Sequence, residues 1–276
     1  MTLSDEQLER YSRQMVLAGI GGVGQAKLVS SKVLVIGAGG LGSDVLYHLA
    51  ASGIGTIGVI DYDKVDLSNL HRQIIHTIDD LNKPKVISVK EKISRLNPDV
   101  KIVSFEEKLE RENIEQILMD FEIIVDCLDN FSDKFLVNDF CVKLNKKLVH
   151  AGVVGFEGQI LTVIPNESSC LRCYFPDNPP EDFRQSCKEI GVLGSCVGVL
   201  STLQATEVIK IILGIGKLLT NRVLKYNSLE AKFYEFRIQE KSKDCPVCGN
   251  VLMLHETKLG LTQGSQGMAP IRSFPA

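Results

Sequence analysis

The chain has 276 residues, 44% of them hydrophobic and 24% charged, and a formal net charge of -3. That is ample material for a packed core, and it supplies no cationic surface to hold a nucleic acid, so basic-patch functions are disfavoured. The opening "MTLSDEQLERYSRQM" is polar and acidic where a secretion signal needs a basic flank and an apolar stretch, which points to a cytoplasmic protein.

In chain order, residues 1–30 read as a helical N-terminal segment. Runs rich in Val and Ile then recur at 33–36, 57–60, 100–103, 123–126 and 147–150. They alternate with helical periodicity near 42–52, 84–96, 110–119 and 131–144. Alternation of this kind predicts an α/β fold with a Rossmann-like, mostly parallel, doubly wound sheet, so 31–155 is expected to be a nucleotide-binding half. Gly37, Asp61 and the stretch 126–130 fall at strand ends, where such sheets bind ligands.

After Gly152 the pattern changes. "GQILTVI" predicts another strand, 176–194 a long exposed crossover, 196–213 a long helix, and "NRVLKYNS" and "KFYEFRI" two further strands. These define a second half, 156–253, followed by an aperiodic tail at 254–276 that reads as flexible. The apolar stretch 197–216 is interrupted by Gln204, Glu207 and Lys210 at helical spacing, so a buried helix is expected there rather than a membrane span.

Gly37, Gly39 and Gly42 fit G-x-G-x-x-G between a strand and a helix, where backbone N–H groups can cradle a phosphate. Asp61, ending the next strand, is placed to hold ribose hydroxyls. This much describes an NAD-dependent dehydrogenase equally well. The following loop, "DYDKVDLSNLHRQ", breaks the tie by gathering Asp61, Asp63, Asp66, Asn69, Arg72 and Gln73, with Lys85 opening a helix and "DCLDN" after the fourth strand. A nicotinamide pocket needs an apolar slot. Nucleotidyl transfer needs cations to neutralise a polyphosphate and a carboxylate to hold Mg²⁺.

Eight cysteines in a cytosolic chain point to metal or thiol chemistry rather than disulfides. Cys170, Cys173, Cys245 and Cys248 form two CxxC pairs, the halves of a closed tetrahedral site for structural Zn²⁺. Cys127 and Cys141 read as packing thiols. Cys187 lies in the crossover between Arg184 and Lys188, which can lower its pKa; Cys196 is a weaker thiol candidate.

The stretches "RYSRQ" at 10–14, "GAGGLG" at 37–42, "DYDKVDLSNLHRQ" at 61–73, "KPK" at 83–85, "DCLDN" at 126–130, "FEGQI" at 156–160, "CLRC" at 170–173, "GVLG" at 191–194, "LQATEVIK" at 203–210 and "CPVCG" at 245–249 together resemble the MoeB/ThiF (HesA) family. Its members activate ubiquitin-like sulfur-carrier proteins in molybdopterin or thiamin biosynthesis. The resemblance implies an ATP-dependent adenylyltransferase that joins ATP to the carrier's C-terminal glycine, giving an acyl-adenylate and pyrophosphate. It implies that Asp61 binds the ribose and that Gly40 and the loop Ser68, Asn69, Leu70, His71 and Arg72 hold ATP, with Gln73, Leu128 and Asn130 bordering the site. Arg72 and Lys85 would contact the phosphates and Asp129 would coordinate Mg²⁺. Arg13 would enter the ATP site of the other subunit of a homodimer. His71 is expected to support the loop rather than to transfer a proton.

In the ThiF branch a cysteine matching Cys187 can bond covalently to the carrier, while adenylation does not need it. The partner would be a small carrier ending in Gly-Gly, with sulfur from a separate donor. Lys134 stands where the family often has arginine, and a lysine cannot reproduce a bidentate fork. Two other readings remain: an NAD(P)-dependent oxidoreductase and a catalytically silent scaffold. The scaffold is disfavoured because Arg13, Asp61, Arg72, Lys85 and Asp129 are all present.

Overall fold

The computed structural model describes residues 3–175, 190–238 and 241–249. Cys187 and the 254–276 tail lie outside them. Eight strands form one sheet: β1 (Lys32–Ile36), β2 (Thr56–Ile60), β3 (Lys101–Phe105), β4 (Ile123–Asp126), β5 (Lys147–Val154), β6 (Glu157–Val163), β7 (Arg222–Asn227) and β8 (Lys232–Arg237). Their order is β3-β2-β1-β4-β5-β6-β7-β8. The first five run parallel and the last three antiparallel, so one sheet continues through both halves of the chain.

Nine helices are described: α1 (Asp5–Arg10), α2 (Ser12–Met15), α3 (Gly21–Ser30), α4 (Gly40–Ala51), α5 (Lys85–Leu96), α6 (Ile114–Met119), α7 (Phe131–Lys143), α8 (Leu171–Tyr174) and α9 (Gly194–Leu213). Two differences from the sequence reading have local causes. Residues 111–113 form a turn rather than helix, because the Asn113 side chain accepts the Glu110 N–H at 2.8 Å and holds the chain in that turn, so α6 begins only at Ile114. β5 runs four residues past the expected strand, since its end pairs antiparallel with β6 as far as Val154 opposite Glu157.

The sheet carries a core on each face. Val33, Val35, Val125, Val149 and Ala151 face α4 and α9; Leu34, Ile36, Ile124, Leu148 and Leu161 face α6 and α7. Both faces of the parallel strands are therefore covered, which is why they read as continuous apolar runs. α9 is long and apolar enough to cross a membrane, with a mean hydropathy of 1.6, yet it is half buried against α4, β5 and β6. Its polar residues belong to the core: Gln204 donates to the Asp126 carbonyl at 2.9 Å, and Glu207 accepts from the Thr162 hydroxyl and the Leu219 N–H. It is a core helix.

The N-terminal helices are tied to the same frame. Tyr11 is buried with its hydroxyl accepting from Asn97, and the Gln14 and Gln25 amides both donate to the Ser52 carbonyl.

Candidate nucleotide site and metal centre

A cavity of about 1380 Å³ opens at the carboxyl ends of β1, β2, β4 and β5. Its floor is the glycine turn between β1 and α4. Gly37 has φ +95, and a Cβ there would meet the Cys127 carbonyl at 2.9 Å; at Gly42 a Cβ would stand 2.0 Å from the Gly37 carbonyl. Only glycines let strand, turn and helix approach this closely, and the same bare backbone leaves N–H groups open to a phosphate at the start of α4.

At the tip of β2, Asp61 accepts the Ala38 N–H at 2.8 Å with one oxygen and the Asp63 N–H at 2.8 Å with the other. The first bond fixes the carboxylate to the glycine turn itself. Burial raises the Asp61 carboxyl, opposed by the charge of Lys85 and these two N–H donors. Lys85, the first residue of α5, is only 4% exposed, and its ammonium lies 2.9 Å from Asp63. A buried lysine aimed at a strand tip keeps its charge in place without large rearrangement.

The loop after β2 is organised from within. Asp66 caps its short 3₁₀ turn by accepting from the Ser68 N–H and hydroxyl, and Asn69 reaches back to the Asp66 N–H. Half-buried Arg72 donates to the Ser68 carbonyl at 3.1 Å and lies 2.8 Å from the His71 ring nitrogen. Its remaining guanidinium donors are left for a ligand. Gln73 is 4% exposed, and its Oε1 has no partner among the described residues. A buried acceptor left unpaired beside a glycine turn marks a place where a ligand donor belongs.

Beyond β4, Leu128, Asp129 and Asn130 border the same cavity. Asn130 caps α7 by accepting the Asp133 N–H, which leaves Asp129 as the exposed carboxylate of this rim. Mg²⁺ is commonly held by one or two carboxylates plus substrate phosphates, so this residue fits such an ion.

The structure thus gathers Gly37, Gly39, Gly40, Asp61, Asp63, Ser68, Asn69, Arg72, Gln73, Lys85, Leu128, Asp129 and Asn130 around one space. Of the other expected site residues, Gly42, Leu70, His71 and Arg13 do not line this cavity. Gly42 sits beneath the turn against the Gly37 carbonyl, and within the loop the His71 ring lies 2.8 Å from Arg72. Arg13 lies on α2, exposed, and does not reach the cavity of its own chain. Lys134 also borders the cavity, but its ammonium is engaged within the protein, donating to both Asp126 oxygens at 3.2 Å and to the Ala151 carbonyl at 2.7 Å. The sequence reading missed His150, which also lines the cavity and bonds Asp126 at 2.6 Å. Only the strand register, which sets Asp126 opposite His150, brings those two together.

The four CxxC cysteines converge across 75 residues. Cys170 and Cys245 sulfurs lie 3.6 Å apart, Cys173 and Cys248 3.3 Å, and all four lie within 4.8 Å of one another. Disulfides would require about 2 Å. A tetrahedron of thiolates around Zn²⁺, with bonds of about 2.3 Å, has edges near 3.8 Å, so the cluster is compatible with zinc. The neighbouring Cys248 sulfur and burial both push the Cys170 thiol up, a cost that a divalent cation would remove. Cys127 and Cys141 are buried with thiols raised by burial, as expected of packing cysteines. Cys196 is buried too, and burial raises its thiol.

A glycine turn at the carboxyl end of β1, with carboxylates and cations around one cavity, is the arrangement of a nucleotide-binding α/β protein. The chain belongs to the ThiF family, whose model matches residues 11–247. It is 40% identical to the sulfur carrier protein adenylyltransferase of Thermus thermophilus over 255 residues, 91% of this chain and 94% of that protein. It is 42% identical to the adenylyltransferase and sulfurtransferase MOCS3 of Aedes aegypti over 90% of its own length, and there it spans 57% of the longer protein. Among solved structures, E. coli MccB with ATP superimposes with a TM-score of 0.76 at 27% identity, covering 87% of this chain and 75% of that one. E. coli MccB with MccA-N7isoASN gives 0.78, again at 27% identity, over 90% and 76%.

Proposed function

We propose that this chain is an ATP-dependent adenylyltransferase that activates the C-terminal glycine of a small ubiquitin-like sulfur carrier as an acyl-adenylate, releasing pyrophosphate. The observation that carries it is the convergence of Asp61, Arg72, Lys85 and Asp129 on one cavity over a glycine turn. Both substrates are anionic where they meet, so the site must supply positive charge before a carboxylate can approach the α-phosphorus. Little proton transfer is needed. Asp61 takes the ribose hydroxyls with its remaining lone pairs, and the turn at Gly37 to Gly40 and the donors of Arg72 and Lys85 take the phosphates. Asp129 holds Mg²⁺, which when bound neutralises polyphosphate charge.

Arg13 completes the site in trans within a homodimer. Its exposure, with Val16, Leu17 and Val23 exposed beside it, supports a second copy covering this surface. The carrier docks on the antiparallel half. Tyr234 and Phe236 of β8 are exposed on the sheet face that also carries Lys225, and Lys225 borders the cavity. The four cysteines hold structural Zn²⁺, which requires them reduced and accords with a cytoplasmic setting. A separate donor supplies sulfur, in molybdopterin or thiamin biosynthesis. Cys187 is dispensable for adenylation and captures the activated carrier, its thiolate displacing AMP from the acyl-adenylate to leave a thioester: Cys187→Ser is expected to keep exchange while losing any enzyme–carrier species sensitive to thiol reductants.

The names of the relatives and the charged walls of the cavity both disfavour the oxidoreductase reading. The deciding experiment is ATP–pyrophosphate exchange with purified Gly-Gly-ended carriers. Carrier-dependent exchange is expected; hydride transfer to a nicotinamide, with no exchange, would overturn the reading.

A further inference from the structure

The polyphosphate chemistry leaves one buried charged cluster unused. Asp126 at the tip of β4, His150 opposite it on β5 and Lys134 on α7 are each 5% exposed or less. Lys134 donates to both Asp126 oxygens and to the Ala151 carbonyl, which employs all three of its protons. The Leu128 N–H also donates to Asp126 at 3.0 Å. Burial alone would raise Asp126, but the Lys134 charge and the His150 bond hold its carboxyl below the usual range.

An ionised carboxylate only accepts, so the proton of the 2.6 Å contact belongs to His150 Nδ1. Burial, and after it the Lys134 charge, push the imidazole down, against Asp126, so the ring is neutral. Its Nε2 is therefore a bare lone pair. It and Gln73 Oε1 are the two buried side-chain polar atoms without a partner among the described residues. His150 borders the cavity, its Nδ1 edge committed to Asp126 and its Nε2 buried and unpaired.

Strand order says which ligand. Asp61 ends β2, and His150 lies three strands away along β2-β1-β4-β5, roughly 14 Å at about 4.8 Å per strand. With the ribose at Asp61 and the phosphates at the glycine turn, as the proposed function has them, the nucleoside's donors would lie on the β2 side, and phosphate oxygens have no proton to give. The acyl substrate, entering from the antiparallel half, is the partner that would bring a donor to β5. The wall there leaves room for an extended backbone: at Gly152, two residues beyond His150 and on the same strand face, a Cβ would meet nothing within 4 Å, and Gln159 lies across from it on β6. An extended tail presents N–H groups to such a wall.

We propose that His150, held by Asp126 and Lys134, is a binding residue for the acyl substrate, its Nε2 accepting a backbone N–H from the last few residues of the carrier's tail. This rests on the adenylyltransferase reading above. The test measures exchange with ATP and carrier varied separately. His150→Phe is expected to raise the carrier KM about tenfold, the size of one lost hydrogen bond, and to leave the ATP KM within about twofold. Semisynthetic carriers with an ester replacing one of the last three backbone amides probe the same bond in the unaltered enzyme. One of them should lose a similar factor with wild type and nothing further with His150→Phe.

Equal shifts in both KM values, or fully additive losses, would overturn the inference. If His150→Phe does not fold, the ester series decides: no ester-sensitive position overturns it. Absence of exchange with every carrier for the wild type would instead sink the functional reading, and this inference with it.

Discussion

β1 and β2 bury all but their first residues and β4 buries all four of its own, whereas β8 exposes all six. The two regions share one sheet and solve different problems. The parallel strands are clamped between helices, so their carboxyl ends are fixed and residues such as Asp61 and Gly37 are held to fractions of an ångström by backbone hydrogen bonds. The antiparallel extension leaves one face open with aromatic side chains on it, which is what a macromolecular substrate needs. In the proposed function, chemistry sits on the first region and recognition on the second.

The sharpest way to break that division is at the rim of the rigid region. Asp129→Ala removes the exposed carboxylate without touching the core, so the fold should persist while exchange falls by roughly two to three orders of magnitude. Near-wild-type exchange would remove Asp129 from the reaction. The same variant tests the shared site. Mixed with Arg13→Ala subunits, each inactive alone, half of the dimers would carry one intact hybrid site, restoring about one quarter of wild-type activity. Demonstrated subunit exchange without recovery would show that Arg13 does not act across the dimer.

The next largest effect is expected where the two regions are tied. The cysteine cluster joins the segment after β6 to the segment after β8. Protein prepared without chelator should contain one zinc per chain by metal analysis. Cys245→Ser combined with Cys248→Ser should lose it, and about 2 kcal/mol of lost tethering would lower Tm by on the order of 5 °C. Zinc-free wild type with unchanged Tm would contradict this.

How legible each region is in the sequence follows from the same contrast. The parallel strands announce themselves because burial on both faces forces continuous runs such as "VLVI", and the glycine turn because close backbone approach admits no other residue. The CxxC pairs are legible because thiolate ligation fixes their spacing. His150 was not legible, since a histidine in an apolar run acquires meaning only when register sets it opposite Asp126. Lys134 was noticed as a departure, but its burial against Asp126 and the Ala151 carbonyl depends on how α7 packs, which no local pattern encodes. Leu70 and His71 enter through the family resemblance, which covers the loop as a stretch; which of its side chains line the cavity depends on the loop's internal capping at Asp66, and these two do not.

The smallest effect should come from the open region, and it separates recognition from chemistry most cleanly. Phe236 is 49% exposed at the sheet edge, opposite Val223 and on the face that carries Lys225, whose ammonium lies 5.5 Å from the ring centre. Because half of the ring already meets water, Phe236→Ser should cost little stability, with Tm within a few degrees of wild type. If the carrier covers this face, losing a partly buried aromatic contact should raise the carrier KM by about 3- to 10-fold and leave kcat and the ATP KM unchanged. A fall in kcat at saturating carrier would mean that β8 helps align the tail for attack, joining the two regions functionally. An unchanged carrier KM for both Phe236→Ser and Tyr234→Ser would move the docking surface elsewhere, most directly to Phe156 and Val154 at the β5–β6 turn, which are also exposed and nearer the cavity mouth.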